Sequence, residues 1–196
     1  MTDDQAVDRF APAVNAEGRV SRHRGCAAGQ DKRRQYQQAP SCEKWTGGSS
    51  FNTGDTIELG TAIGASLDLM DDAWWCPSII SPYPQCSPAW VMIFEKSSPG
   101  GLIVNKAGKR FMNEAAPYND AVKSMYRANT PECPSIPAHF IFDSNYRKTY
   151  ACGPMLPMPD SFLPKPLQDG FYKKDDTLDG LARKIGVDPA GLVETV

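Results

Sequence analysis

Between Trp90 and Glu114 the chain reads WVMIFEK, SSPG, GLIVN, KAGK and RFMNE, three short runs with apolar and β-branched residues separated by segments rich in turn formers. Runs this short cannot present the long apolar stripe of a packed helix, so strand, turn, strand, turn, strand is the simplest reading. Pro99 with Gly100 and Gly101 makes the first reversal, and Gly108 supplies a residue able to take positive φ in the second.

Downstream, HFIFD predicts a further strand leading into a helix from Ser144 to Tyr150, followed by a proline-dominated extended loop to about Lys174. Asp176 and Thr177 then open a helix over TLDGLARKI, with Leu178, Leu181 and Ile185 on one face and Gly186 at its stop. Asp188 and Pro189 cap a second helix by the same logic, and the chain ends at Val196 partway through that pattern, which is expected of a truncated element. Upstream, NTGD leads into TIELGTAIGASLDLM, where Ile57, Gly60, Thr61, Gly64 and Leu67 recur at helical spacing and predict a buried face. Its two glycines imply close approach of a backbone or a ligand, or plain tight packing. The stretch WWCPSIISPYPQCSPAW reads as a loop or irregular wall, since most of the 17 prolines follow Trp75. Residues 1–38 lack periodicity and are expected to be poorly ordered, with RVSRHRG a solvated basic cluster.

Composition excludes several functions. Hydrophobic residues make up 41% and charged residues 22% of the 196 positions, an ordinary globular balance that argues against wholesale disorder. A net charge of -2 provides no electrostatic reason to bind nucleic acid. Six cysteines without a CxxC pair, and two histidines, do not make a zinc site, so no metal is expected. The N-terminus MTDDQAVDRF lacks a signal-peptide pattern, which favours reduced thiols and a cytoplasmic location. No apolar run approaches the roughly 20 residues of a membrane helix. GxSxG, GxxxxGK[ST] and GxGxxG are all missing, so the residues alone support only a mixed domain of helices and strands.

A resemblance extends this reading. GCAAGQDKRRQYQQAP, NTGD, DLMDDAWWCP, SPGGLIVNKAGKRFMNEAAPYND, FIFDSNYRKTY and DDTLDGLARKIGVDPAGLVETV occur in the order seen in the 3-ketosteroid dehydrogenase and fumarate reductase group of FAD-dependent oxidoreductases, which the chain from about Gly25 onward resembles. The resemblance implies an α+β chain: a substrate-capping domain of a two-domain flavoprotein over residues 73–196, preceded in residues 1–72 by a partial remnant of the FAD-binding α/β domain. The rest of the FAD-binding domain would lie in a missing part of the same protein, leaving the chain inactive alone. FAD is the implied cofactor, with Asn52, Thr53, Gly54 and Asp55 against the flavin and Gly29 surviving from a glycine motif in which Ala27 and Ala28 also remain.

The resemblance also implies a substrate class. Fumarate reductases carry a His before Pro in the segment after NTGDG and an Arg soon after the RFMNE-like motif; here Cys76 precedes Pro77, and NEAAPYNDAVKSM offers no Arg. Two buried carboxylates without those cations would be prohibitively costly, so an apolar, steroid-like small molecule is favoured. Tyr118, in APYND, matches the catalytic tyrosine of ketosteroid 1-dehydrogenases, which removes a proton beside a ketone while flavin accepts hydride. A phenol titrates near pH ~10 in water, so the role demands hydrogen bonds or positive charge from neighbours. Pro117, Trp74 and Trp75, with Tyr83 and Trp90, are candidates for a substrate wall, and aromatics at this density equally suit a core. Glu114 with Arg110 either orients the site or forms a structural ion pair. Two alternatives stay open: a binding module without redox chemistry, and a relative acting on another enone or unsaturated acid.

Overall fold

The computed structural model describes residues 13–14, 19–22, 36–41, 45, 47, 54–80, 89–168 and 171–196. Two antiparallel sheets organise these segments. One contains β1 (Ala13–Val14), β5 (Gly101–Val104), β6 (His139–Phe142) and β7 (Tyr172–Lys173) in the order β5-β6-β1-β7. The other places β3 (Trp75–Ile80) between β2 (Arg19–Arg22) and β4 (Ala89–Val91). Strands from the first twenty-odd residues thus pair with strands far along the chain, Val14 lying opposite Phe140 and Val20 opposite Pro77.

Side chains on β5 and β6 alternate between two cores, as the strand period of two requires. Ile103, Phe140 and Phe142 face the larger core, which they share with Trp75, Ile79, Met92, Val122, Met125 and Tyr146. Val104 and Ile141 face the other way, onto Leu181, Ala182, Val187 and Leu192. Leu181 and Ala182 belong to α5 (Leu178–Ile185) and Leu192 to α6 (Pro189–Thr195), the two helices expected from their caps, and Val187 lies between them. Thr177 accepts the Gly180 N–H and Asp188 accepts the Gly191 N–H, while Gly186 stops α5 at φ 71°.

Three local expectations are corrected. First, the aromatic stretch taken for a loop contains β3, the central strand of its sheet. Pro77 is tolerated there because its carbonyl accepts Met92 N–H just past the last pairing with β4, Ser78 opposite Val91; its missing donor falls where that ladder ends. Secondly, RFMNE forms no strand, and only Arg110 bridges back to Val104. The outward N–H of Ile103, which a third strand would have bonded, is taken at 2.8 Å by the Glu114 carboxylate. Thirdly, the helix after NTGD, α1 (Asp55–Ala62), ends sooner than its periodicity predicted. Gly64 at φ 86° closes it through bonds from Gly64 N–H to Thr61 O and from Ala65 N–H to Gly60 O. Its expected stripe is not buried in this chain: Ile57 and Gly60 are half-buried, and Thr61, Gly64 and Leu67 are exposed.

The proline-rich segment after Tyr150 is more ordered than an extended loop. α3 (Ser144–Thr149) carries Arg147, whose buried guanidinium donates to the carbonyls of Leu156 and Met158 and pairs with Asp160. Beyond it α4 (Lys165–Gln168) buries Leu167. Cys76, Cys133 and Cys152 are free thiols. Among the described residues no helix is long and apolar enough to cross a membrane, and no cluster suited to a metal ion is found.

Candidate functional site

α2 (Tyr118–Ala128) begins at the residue singled out as a base. Pro117 is its N-cap and Asp120 lies in its first turn, a proline-entered, acid-bearing start that favours initiation here. Ala121, Val122, Met125 and Tyr126 bury one face against β3, which leaves Tyr118 half-buried at the rim.

Opposite that rim stands Trp74, the last residue before β3. The rings of Trp74 and Tyr118 lie with centroids 6.2 Å apart and planes inclined by 31°. Together with Ala73, Pro117 and Asn119 they line an open cleft of about 720 Å³. The two sides are pinned to each other. The Asn119 side chain accepts Trp75 N–H at 3.3 Å, and Asp72 accepts the Ala73 N–H, the Trp75 indole N–H and the Lys123 ammonium. The Ala73 N–H above all holds the Asp72 carboxyl below its ordinary range, with Lys123 and Trp75 acting in the same direction against burial. Asp72 and Asn119 were not singled out from sequence. Both are polar residues in a turn and a helix start, where solvation is the default reading.

Other expected site residues fall elsewhere. Trp75 is in the core, edge-on to Tyr126 at 5.5 Å, and not on the cleft wall. Trp90 is 42% exposed on β4 and donates its indole N–H to Glu95. Glu114 is buried and paired through two nitrogens with Arg110. That pair braces the chain at the edge of β5 and does not reach the cleft lining. Gly29, Asn52, Thr53 and Tyr83 lie outside the described residues.

For a flavin, the relevant described residues are Gly54 and the helix it opens. Gly54 is buried at φ 94°, a left-handed conformation that a side chain would strain, and its carbonyl receives the Ile57 N–H. The backbone can therefore approach a planar ring closely at this point. The residues present fit one edge of a flavin contact. The sequence has no glycine loop for the pyrophosphate.

Residues 9–196 match the family described as FAD binding domain. The chain belongs to that family. It is 41% identical over 168 residues to a 3-oxosteroid 1-dehydrogenase of Mycobacterium tuberculosis, a match covering 82% of this chain and 28% of the relative. It is 35% identical over 149 residues to 4-oxocyclohexanecarboxylate 2-dehydrogenase of Sinomonas cyclohexanicum, covering 74% of this chain and 25% of that protein. Among solved structures, 3-ketosteroid delta1-dehydrogenase from Sterolibacterium denitrificans, in complex with 1,4-androstadiene-3,17-dione, superposes with a TM-score of 0.79 at 39% identity, covering 87% of this chain and 30% of that one. The chain thus spans less than a third of the length of these relatives.

The family match corrects the expected fold class. A substrate-capping domain with a mere remnant of the FAD-binding domain is not what this chain is: the FAD binding domain match covers residues 9–196. The aromatic, proline-rich run after Asp72, read from sequence as a loop or irregular wall, supplies Trp75 and Ile79 to the same core as Ile103, Phe140 and Phe142. Over most of its length the chain is thus an FAD binding domain related in sequence to the 3-oxosteroid 1-dehydrogenases.

Proposed function

We propose that this chain serves in the oxidation of a 3-oxosteroid or a similar cyclic ketone, with Tyr118 as the base that removes the proton from the carbon beside the carbonyl. The observation that carries the reading is the cleft in which the Tyr118 and Trp74 rings face each other at 6.2 Å. The names of the relatives, one acting on 3-oxosteroids and another on a cyclohexane ring bearing a ketone, support the substrate class. A fused apolar ring system gains from burial against an aromatic wall, and neither Ala73, Trp74, Pro117, Tyr118 nor Asn119 brings a charge that would favour a dicarboxylate.

In this reading Trp74 and Pro117 hold the apolar skeleton and exclude water, while Asn119 keeps the two walls in register through Trp75 N–H. Tyr118 receives the α-proton on its phenolate oxygen, and the electron pair left on carbon forms the new double bond as hydride departs from the adjacent carbon. FAD, when bound, supplies the two-electron acceptor for that hydride. Gly54 and Asp55, with Asn52, Thr53 and Gly29 from the sequence reading, are the residues proposed to hold it.

The test is anaerobic mixing of the flavin-loaded protein that carries this sequence with a 3-oxosteroid, following flavin bleaching. Tyr118→Phe is expected to slow bleaching about 10²–10⁴-fold while the steroid still perturbs the flavin spectrum. An unchanged rate removes the base, and failure of the unsubstituted protein to bleach with any cyclic ketone removes the substrate class.

A further inference from the structure

Lys96 is 1% exposed, and its side chain is among the largest fully buried ones in the molecule. Lysine is almost never buried without partners, because removing an ammonium from water is costly unless oxygen acceptors replace the lost hydration. Here the acceptors are backbone. The Lys96 Nζ donates to the Glu114 carbonyl at 2.7 Å and to the Ala116 carbonyl at 2.5 Å, with Ser97 Oγ at 3.3 Å. Ser97 Oγ donates to the same Glu114 carbonyl at 3.1 Å.

The segment so gripped has no regular structure. Asn113 starts it by accepting Ala115 N–H on its side chain and Ala116 N–H on its carbonyl, and the chain then enters α2 at Pro117. Carbonyls 114 and 116 would turn to water if nothing held them inward. Burial pulls the Lys96 pKa down and is the largest influence on it, opposed by Cys76 and Glu114. The contacts that hold the ammonium go to Ser97 Oγ and to two of the three carbonyls immediately ahead of Pro117.

We propose that Lys96 is a positioning residue for Tyr118: its buried ammonium clamps the Glu114 and Ala116 carbonyls and thereby sets where α2 begins and where the Tyr118 ring meets the cleft. The catalytic consequence rests on the reading of Tyr118 as the base. A reacting group displaced by about 1 Å can lose about 100-fold in rate without a matching loss of binding, so the expected signature is a split between the two.

The experiment compares the flavin-loaded protein carrying this sequence with its Lys96→Met and Lys96→Arg variants. Lys96→Met keeps the apolar stem and removes the donors; Lys96→Arg restores donors able to reach both carbonyls. For Lys96→Met the expected result is flavin bleaching slowed about 100-fold, with the 3-oxosteroid dissociation constant within about threefold of the parent. Amide hydrogen exchange should quicken about tenfold over residues 113–118 and stay unchanged over 178–195, because only the clamped segment opens. Lys96→Arg should recover both readouts to within about tenfold of the parent. Bleaching at the parent rate in Lys96→Met overturns the proposal, as does exchange that quickens equally in both segments. If Lys96→Met retains no flavin, Lys96→Arg decides alone: equal losses of rate and steroid affinity there overturn it, and rate recovery supports it. If the unsubstituted protein bleaches with no cyclic ketone, the functional reading fails while the exchange comparison still tests the clamp.

Discussion

The Glu114 carboxylate accepts the backbone N–H of Ile103 at 2.8 Å, so one side chain closes the edge of β5 where a neighbouring strand would otherwise sit. Its other contacts go to Arg110, whose side chain is 53% exposed against 6% for Glu114. Solvent screens the ion pair, so the bond to Ile103 carries more of the stabilisation. Glu114→Ala should cost about 2 kcal/mol in urea denaturation, since it strands a buried donor. Glu114→Gln, which keeps an acceptor at that place, should cost about half as much. Equal losses in the two variants would show that the Arg110 charge pair dominates.

Gly191 decides how α6 docks. A Cβ at that position would lie 1.9 Å from the carbonyl oxygen of Ala107, and one at Gly108, at φ 71°, would lie 2.3 Å from Leu192 N. Helix propensity alone predicts that Gly191→Ala gains about 1 kcal/mol. Overpacking against backbone predicts the opposite, a loss of about 2–3 kcal/mol. Backbone cannot step aside as a side chain can, so the urea midpoint is expected to fall.

His139 gives the fold an acid sensitivity. It is buried, its Nδ1 has no hydrogen-bond partner among the described residues, and burial followed by the Lys106 charge lowers its pKa to about 4. A depressed folded-state value means that the unfolded chain binds the proton more readily. Stability from this group is therefore fully present above pH ~6.5, the unfolded value, and is lost as pH falls toward 4. His139→Asn should flatten that limb of the stability–pH curve; an unaltered slope would assign the sensitivity to carboxylates.

Trp74 is 42% exposed and makes one wall of the cleft. Trp74→Ala should leave folding nearly unchanged and weaken 3-oxosteroid binding about tenfold, the equivalent of about 1.4 kcal/mol, in flavin-perturbation titrations. Bleaching at saturating steroid should stay within about threefold of the parent, because in the proposed reading Trp74 holds the skeleton and moves no proton. A loss confined to the saturated rate would give Trp74 a different role.

Parts of the site were readable in sequence and parts were not. Tyr118, Trp74 and Pro117 were expected at the substrate and do line one cleft. Trp75 and Glu114 were expected beside them; both are buried and neither lines that cleft. Adjacent residues in an extended chain point to opposite sides, so of the pair Trp74 and Trp75 only one reaches the rim, and the pattern WW cannot say which. Lys96 gave no signal, because a lysine at the polar end of an expected strand is solvated by default and only tertiary packing moves three oxygens around it.

Local chemistry was sufficient for α5, α6, β5 and β6, where caps, a glycine stop and β-branched runs name the element without help from distant residues. Long-range packing decided the rest. WCPSII has no alternation because β3 is buried along nearly its whole length, and its identity as a strand comes from its pairing with Val20 and Trp90. RFMNE has the composition of a strand, yet Glu114 folds back and takes the hydrogen bond that would have made it one. Capping and turn preferences are energies of a few neighbouring residues and are written into the order of amino acids. Which edge is covered and which cation is buried are settled only when remote segments compete for the same donors.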